Sequence, residues 1–211
     1  MTECRLILAG AAIDAGARIG AVRDAHLALL RPMAEAGDLL LGLPLLDASG
    51  YRGSLMLVSA AALDRYLAAE PFRREGIWAW QEVHPFRIAP LPYRPLPSAG
   101  ETPAGHTHVV SVAWDGTDEG APARRLAVRE RHLARVEPAA RQGVLALGGA
   151  ILDGPGGGMR GSVAVTAHPT VEAAQAWWAE DPYVTGGVWR DVTWYATRFA
   201  PLPYRPLPGT A

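Results

Sequence analysis

The chain of 211 residues contains no lysine and no asparagine, so all 20 of its basic side chains are arginine. Without lysine there is no Schiff-base amine and no phosphate-loop lysine; without asparagine there is no N-glycosylation acceptor. A GC-rich genome, which favours Arg, Ala, Gly and Pro, accounts for the bias most simply. Cys4 is the single cysteine, which excludes an internal disulfide and fits a cytoplasmic setting. It sits in an apolar run with Leu6, Ile7 and Leu8 and reads as a buried structural thiol rather than a nucleophile. No signal-peptide pattern opens the sequence. No apolar stretch reaches the roughly 18–20 residues of a membrane span. A formal charge of -1 and a pI near 6.6 leave no electrostatic footprint for nucleic acid or an acidic membrane. Charged residues are scarce at 19%, whereas an apolar fraction of 49% is ample for a core.

What the sequence does contain is a repeat. Ala89–Pro97 (Ala-Pro-Leu-Pro-Tyr-Arg-Pro-Leu-Pro) returns letter for letter at Ala200–Pro208. Two similar units are therefore expected: residues 1–97, a connector at 98–105, and residues 106–211, each unit near ordinary domain size. Ser98–Gly105 has the composition of a flexible linker. The proline-rich copies are stiff, extended arms with little entropy left to lose on docking. We expect each arm to lie across the other unit, with Tyr93 and Tyr204 at the seam.

The order of elements is the same in both units. In the first, Cys4–Ala9 reads as a strand, followed by a small-residue connection through Gly20. A helix then carries Val22, His26, Leu29, Leu30 and Met33 on one stripe, up to Gly37, with Pro32 suggesting a kink or an early end. Strands follow at Leu39–Leu46 and Ser54–Ser59, joined by a turn-rich loop. Ser59 is expected to cap a second helix that Glu70-Pro71 closes, and Ile77–Ile88 is the last strand. The second unit repeats this with strands at His108–Trp114, Val144–Leu152, Ser162–Ala167 and Val188–Arg198 and helices at Arg124–Gln142 and Thr170–Glu180. Each unit is thus βαββαβ, the ferredoxin-like order. Such a sheet has helices on one face only, and the matching face of the second copy can cover the other. The expected fold is α+β: two ferredoxin-like βαββαβ repeats packed sheet to sheet as an intramolecular, pseudo-dimeric α+β barrel.

The duplication provides an internal comparison. His26 matches His132, Asp47 matches Asp153, and Arg52-Gly53-Ser54 matches Arg160-Gly161-Ser162. Glu70-Pro71-Phe72 matches Asp181-Pro182-Tyr183. Each histidine lies on the apolar stripe of its helix, either as a buried core imidazole or as a proton-transfer group, whose unperturbed pKa of about 6.5 suits neutral pH. Glu70 and Asp181 either satisfy backbone amides at a helix end or orient those histidines. Asp47 and Asp153 read equally well as turn formers. Ser54 and Ser162 lack a Gly-x-Ser-x-Gly elbow, so hydrogen bonding suits them better than nucleophilic attack. Trp177, Trp178 and Trp189 line either a pocket or the core. Gly154–Gly158 lacks a phosphate-loop pattern and reads as a flexible turn. His106 and His108 have no cysteine or carboxylate at metal spacing, so no metal is expected.

Arg23-Asp-Ala-His26-Leu, Arg129-Glu-Arg-His132-Leu, Leu43-Pro-Leu-Leu-Asp47, Gly53-Ser54 and Gly161-Ser162 resemble the motifs of the YciI-like family, the YCII-related domain. So does Ala174-Gln-Ala-Trp177-Trp-Ala-Glu-Asp181-Pro-Tyr183-Val. The resemblance implies a dimeric α+β barrel and a His/Asp acid–base site in each unit. It places the catalytic pair at His132 and Asp181, with His26 and Glu70 as a variant pair. Ser162, Ser54, Arg129, Arg23, Asp153, Asp47 and Tyr183 become candidate substrate contacts. Relatives of this kind are similar to lyases, isomerases and cyclases, including a dehydrochlorinase acting on a chlorinated hydroquinone, which move protons on small carbon skeletons without metal or organic cofactor. The expectation is a cofactor-free acid/base enzyme for a small, partly aromatic or enolisable metabolite, monomeric or a homodimer of such monomers. A non-catalytic barrel that binds a small ligand is the alternative. The proline arms could also dock a partner through Pro92-x-x-Pro95.

Overall fold

Alternation along the strands decides which way each sheet faces. On β1 (Glu3–Ala11), Cys4, Leu6 and Leu8 join a core shared by both halves, while Ile7 and Ala9 pack beneath helices. On β3 (Gly50–Ser59), Leu55 and Leu57 go to the shared core, and Met56 and Val58 go to the helix side. These are the period-two faces of strands buried on both sides. The computed structural model describes residues 3–98, 100–208 and 210. Residues 1, 2, 99, 209 and 211 of the expected units and connector lie outside the described residues.

The first half runs β1, α1 (Ala15–Ala36), β2 (Leu39–Asp47), β3, a 3-10 turn (Ala60–Ala62), α2 (Leu63–Ala69), α3 (Pro71–Arg74) and β4 (Trp78–Ile88). The second runs β5 (His108–Asp115), α4 (Ala121–Gln142), β6 (Leu145–Leu152), β7 (Met159–Thr166), α5 (Val171–Trp178), α6 (Pro182–Thr185) and β8 (Trp189–Thr197). All eight strands form one closed antiparallel barrel in the order β1-β3-β2-β8-β5-β7-β6-β4. Each half contributes four consecutive barrel strands, β4-β1-β3-β2 and β6-β7-β5-β8, which is the ferredoxin-like arrangement. The sheets face each other and also join at their edges, so closure leaves no free edge. One seam pairs Phe86, Arg87 and Ile88 of β4 with Ile151, Ala150 and Gly149 of β6. The other pairs Leu46 of β2 with Ala196 of β8.

Several local expectations change. Helix α1 starts at Ala15, inside the stretch of small residues expected to be a connection. Pro32 neither ends nor shortens it: α1 continues to Ala36, and α4 likewise runs past Pro138. The backbone hydrogen bond lost at proline is outweighed by burial of Leu30, Met33 and Ala34 around it. Ser59 does not cap α2; its hydroxyl donates to Asp38, and the 3-10 turn intervenes. The loop expected between β2 and β3 shrinks to a tight hairpin.

Both arms cross to the opposite half, as expected. The Tyr93 hydroxyl donates to the Gly148 carbonyl (2.9 Å) and accepts from the Gly148 N–H (3.1 Å) on β6. Tyr204 does the same with Gly42 on β2, at 3.3 Å for each bond. Arg94 donates to the Arg141 carbonyl and Arg205 to the Glu35 carbonyl, at the C-terminal ends of α4 and α1. Their stems cross Gly143 (φ 83°) and Gly37 (φ 82°), which end those helices in the left-handed conformation. A Cβ at Gly143 would lie 2.8 Å from Arg94 Cδ, so glycine serves both the turn and the close approach of the arm. Ser98–Gly105, expected to be a flexible connector, is docked in part: Ala104 accepts from Arg198.

Candidate functional site

Asp181 and Glu70 precede proline and therefore sit in extended conformation, each as N-cap of a four-residue helix. That geometry aims one carboxylate oxygen at two donors. Asp181 Oδ1 accepts from Tyr183 N (2.8 Å) and lies 2.8 Å from His132 Nδ1. Glu70 Oε1 accepts from Phe72 N (2.9 Å) and lies 2.7 Å from His26 Nδ1. The two readings of these carboxylates, helix cap and histidine partner, are both realised by a single oxygen. The extra methylene of Glu70 is absorbed without loss of either contact.

Both carboxylates are fully buried. Against a buried carboxylate, a neutral imidazole carries its proton on Nδ1 and leaves Nε2 as the free basic nitrogen. Each imidazole also lies flat on the aromatic ring two residues beyond its carboxylate. His132 stacks on Tyr183 at 3.7 Å between centroids, and His26 on Phe72 at 4.0 Å. The second oxygen of Asp181 has no hydrogen bond among the described residues, but Arg135 Nε lies 3.7 Å from it.

Each histidine lines a cavity between helix and sheet. The C-terminal cavity, of about 310 Å³, is bordered by Arg129, His132, Ser162, Trp178, Tyr183 and Trp189. The N-terminal cavity, of about 440 Å³, is bordered by Arg23, His26, Ser54, Tyr51 and Phe72, with Thr102, Ala104 and Gly105 of the connector and the adjoining His106 alongside. The Gly-Ser pairs have a steric reason. A Cβ at Gly53 or Gly161 would strike the carbonyl oxygen of Ala9 or Ala113 on the neighbouring strand, so glycine lets β3 and β7 close up just before the serine.

The serines are anchored differently. Ser162 Oγ accepts from Arg125 Nη2 (2.7 Å) and Trp189 Nε1 (3.2 Å). Ser54 Oγ accepts from Trp78 Nε1 (3.2 Å), but its other partner is the Tyr51 hydroxyl at 2.7 Å. Burial pushes the Tyr51 hydroxyl up to about 12. It also raises that of Tyr183, against the pull of Arg125, whose guanidinium lies 4.5 Å from the ring centre.

Arg125 is the residue the sequence reading missed. It is buried and held by Asp115 through two bonds (2.6 and 3.1 Å), with a further bond to the Gly161 carbonyl. Its place seven residues before His132, on the same helical stripe, was the available signal. In the first half Ile19 and Ala11 occupy the corresponding positions.

Of the remaining expected contacts, Arg129 and Arg23 line their cavities as exposed side chains. Asp47 borders the N-terminal cavity, but its carboxylate caps its own turn at Ser49 N and pairs with Arg52. Asp153 does not reach the C-terminal cavity; it is exposed in the β6–β7 turn, packed among Gly157 and Gly158. Trp177 is covered by the Arg135 guanidinium. His106 bonds the Pro169 carbonyl, and His108 bonds Thr107. Among the described residues, no three His, Cys, Asp or Glu side chains form a metal-sized group, and no helix is long and apolar enough to cross a membrane.

The description of the YCII-related domain matches residues 110–196, a span that holds His132, Ser162 and Asp181. An uncharacterized Haemophilus influenzae protein is 42% identical over 74 residues, which is 33% of this chain and 76% of that protein. Protein YciI of Escherichia coli O6:H1 is 39% identical over 75 residues, with the same coverage. A crystal structure from Lactobacillus acidophilus NCFM superposes over 96% of this chain and 98% of its own, at a TM-score of 0.57 and 15% identity.

Proposed function

The chain belongs to the YCII-related domain family, and from that premise we propose that it is a general acid/base enzyme of the lyase, isomerase or cyclase type. One observation carries the reading: His132 is bonded through Nδ1 to a fully buried Asp181 while it borders a mostly apolar cavity of about 310 Å³. The carboxylate fixes the ring and stabilises the imidazolium as Nε2 takes a proton. Tyr183 backs the ring so that it cannot tilt away. The substrate is a small, partly aromatic or enolisable metabolite, bound among Trp178, Trp189, Ser162 and Arg129. His26 and Glu70 form the variant site. The chemistry proposed for His132 and Asp181 runs without a metal or organic cofactor. The setting is cytoplasmic, the working form a monomer or a homodimer of it, and the units are 1–97 and 106–211 about a connector at 98–105.

The test reads proton transfer directly. Enolisable and phenolic compounds are incubated with the protein in D₂O, and loss of the carbon-bound proton is followed by NMR. General acid–base catalysis of this kind contributes ~10²–10⁴-fold, so His132→Ala should lose about that factor under conditions where circular dichroism shows it folded, its melting temperature falling because the buried Asp181 carboxylate loses its partner. An active His132→Ala protein would end the assignment. If compounds bind to wild type and His132→Ala alike and neither exchanges a proton, the chain is a binding barrel instead.

A further inference from the structure

Three residues that line the C-terminal cavity carry a donor with no protein acceptor among the described residues. Trp178 is 2% exposed, and its indole Nε1–H has no partner among the described residues. Ser162 Oγ already accepts two hydrogen bonds, so its own proton remains for donation. Arg129 lines the same cavity with no ion pair or hydrogen bond among the described residues. The other charges there are matched: Arg125 by Asp115, Arg87 by Glu3, Glu137 by Arg141, and His132 faces Asp181. An orphaned buried N–H is costly, and an exposed guanidinium without an ion pair on the wall of the same cavity sets the sign of what would satisfy both.

Building on the acid/base reading, we infer that the substrate of the C-terminal cavity is a flat, apolar molecule carrying an oxyanion, a carboxylate or a phenolate-type oxygen. That oxygen is held by Trp178 Nε1–H, the Ser162 hydroxyl and Arg129. Anchoring it there leaves the carbon skeleton against Trp189 and within the cavity that His132 borders. The N-terminal cavity is not equipped in the same way. Leu67 stands at the position of Trp178, Ile19 at that of Arg125, and the Ser54 hydroxyl is tied to Tyr51. Arg23 alone remains of the donor set.

The test uses unreactive probes and measures binding rather than turnover. 4-Fluorobenzoate, tetrafluorophenolate and the neutral isostere 4-fluorobenzamide are titrated against the full chain by fluorine NMR. At least one anion should bind tenfold or more tightly than the amide. Arg129→Gln and Trp178→Phe should each weaken that anion about tenfold, the scale of a lost hydrogen bond to a charged group. Arg23→Gln should leave it unchanged. The inference is overturned if the amide binds as well as both anions, if no probe binds at millimolar concentration, or if Arg129→Gln and Trp178→Phe change nothing. Because binding is read without turnover, an active His132→Ala protein would remove the acid/base reading and leave the oxyanion site standing.

Discussion

Removing Asp115 alone should cost more than removing it together with Arg125. The single change Asp115→Ala leaves a buried guanidinium without its counter-charge, a loss of about 3–5 kcal/mol, whereas Asp115→Ala with Arg125→Met removes both charges at once. Urea unfolding of the two variants checks this; a double variant less stable than Asp115→Ala would contradict it. A second residue-scale outcome concerns His108. Burial, together with nearby His168, lowers it from 6.5 to about 4. Between those values the unfolded chain takes up a proton that the fold refuses, so stability falls as pH drops through that window and is unaffected above it. Urea midpoints from pH 7 to pH 4 should fall less steeply for His108→Gln. At this scale the His–carboxylate pairs were legible in the sequence because both copies carry them. Arg125 and Asp115 were not, because comparing the copies hides whatever only one of them has. Asp153 repeats Asp47 in the sequence, yet it stands exposed in the β6–β7 turn away from the C-terminal cavity, while the Asp47 carboxylate caps its own turn.

At the scale of elements, the arms behave as substitute strands. One tyrosine hydroxyl serves both the N–H and the C=O of a single glycine on the facing strand. Tyr93→Phe leaves the buried Gly148 N–H unpaired, while the Gly148 carbonyl keeps its bond from Ala89 N (2.9 Å), and should cost about 1–3 kcal/mol. Tyr204→Phe should cost less, since its bonds are longer at 3.3 Å and Tyr204 is only half-buried. Equal melting temperatures for the two variants would count against this account. The arms were readable because four prolines in nine residues announce a stiff segment, and exact repetition announces a shared docking site. The start of α1 was not readable, because Ala15–Gly20 has no apolar period to mark a face. Pro32 misled because tertiary burial on both sides of it overrides a local penalty.

At the scale of the molecule, the halves are joined by two seams, two crossing arms and one connector. Cutting the connector should therefore not separate them. A protease site placed within 98–105 should yield two fragments that co-elute from a sizing column until denaturant is added; fragments that part at once would mean that the seams and arms are weak. The barrel was legible from element order and from the need to cover a bare sheet face. Its edge pairing was not, because the register between halves depends on residues far apart in sequence. The connector has a further effect. Two halves related by a twofold axis are equivalent, but a single covalent join between them has no symmetry mate. It runs beside the N-terminal cavity, bringing Thr102, Ala104 and Gly105 to its wall, and none of its described residues lines the other. Fusion thus makes the two cavities physically different environments before any substitution accumulates within them. From that point selection could act on each alone, retaining tryptophan and a paired arginine in one while leucine and isoleucine filled the same places in its twin.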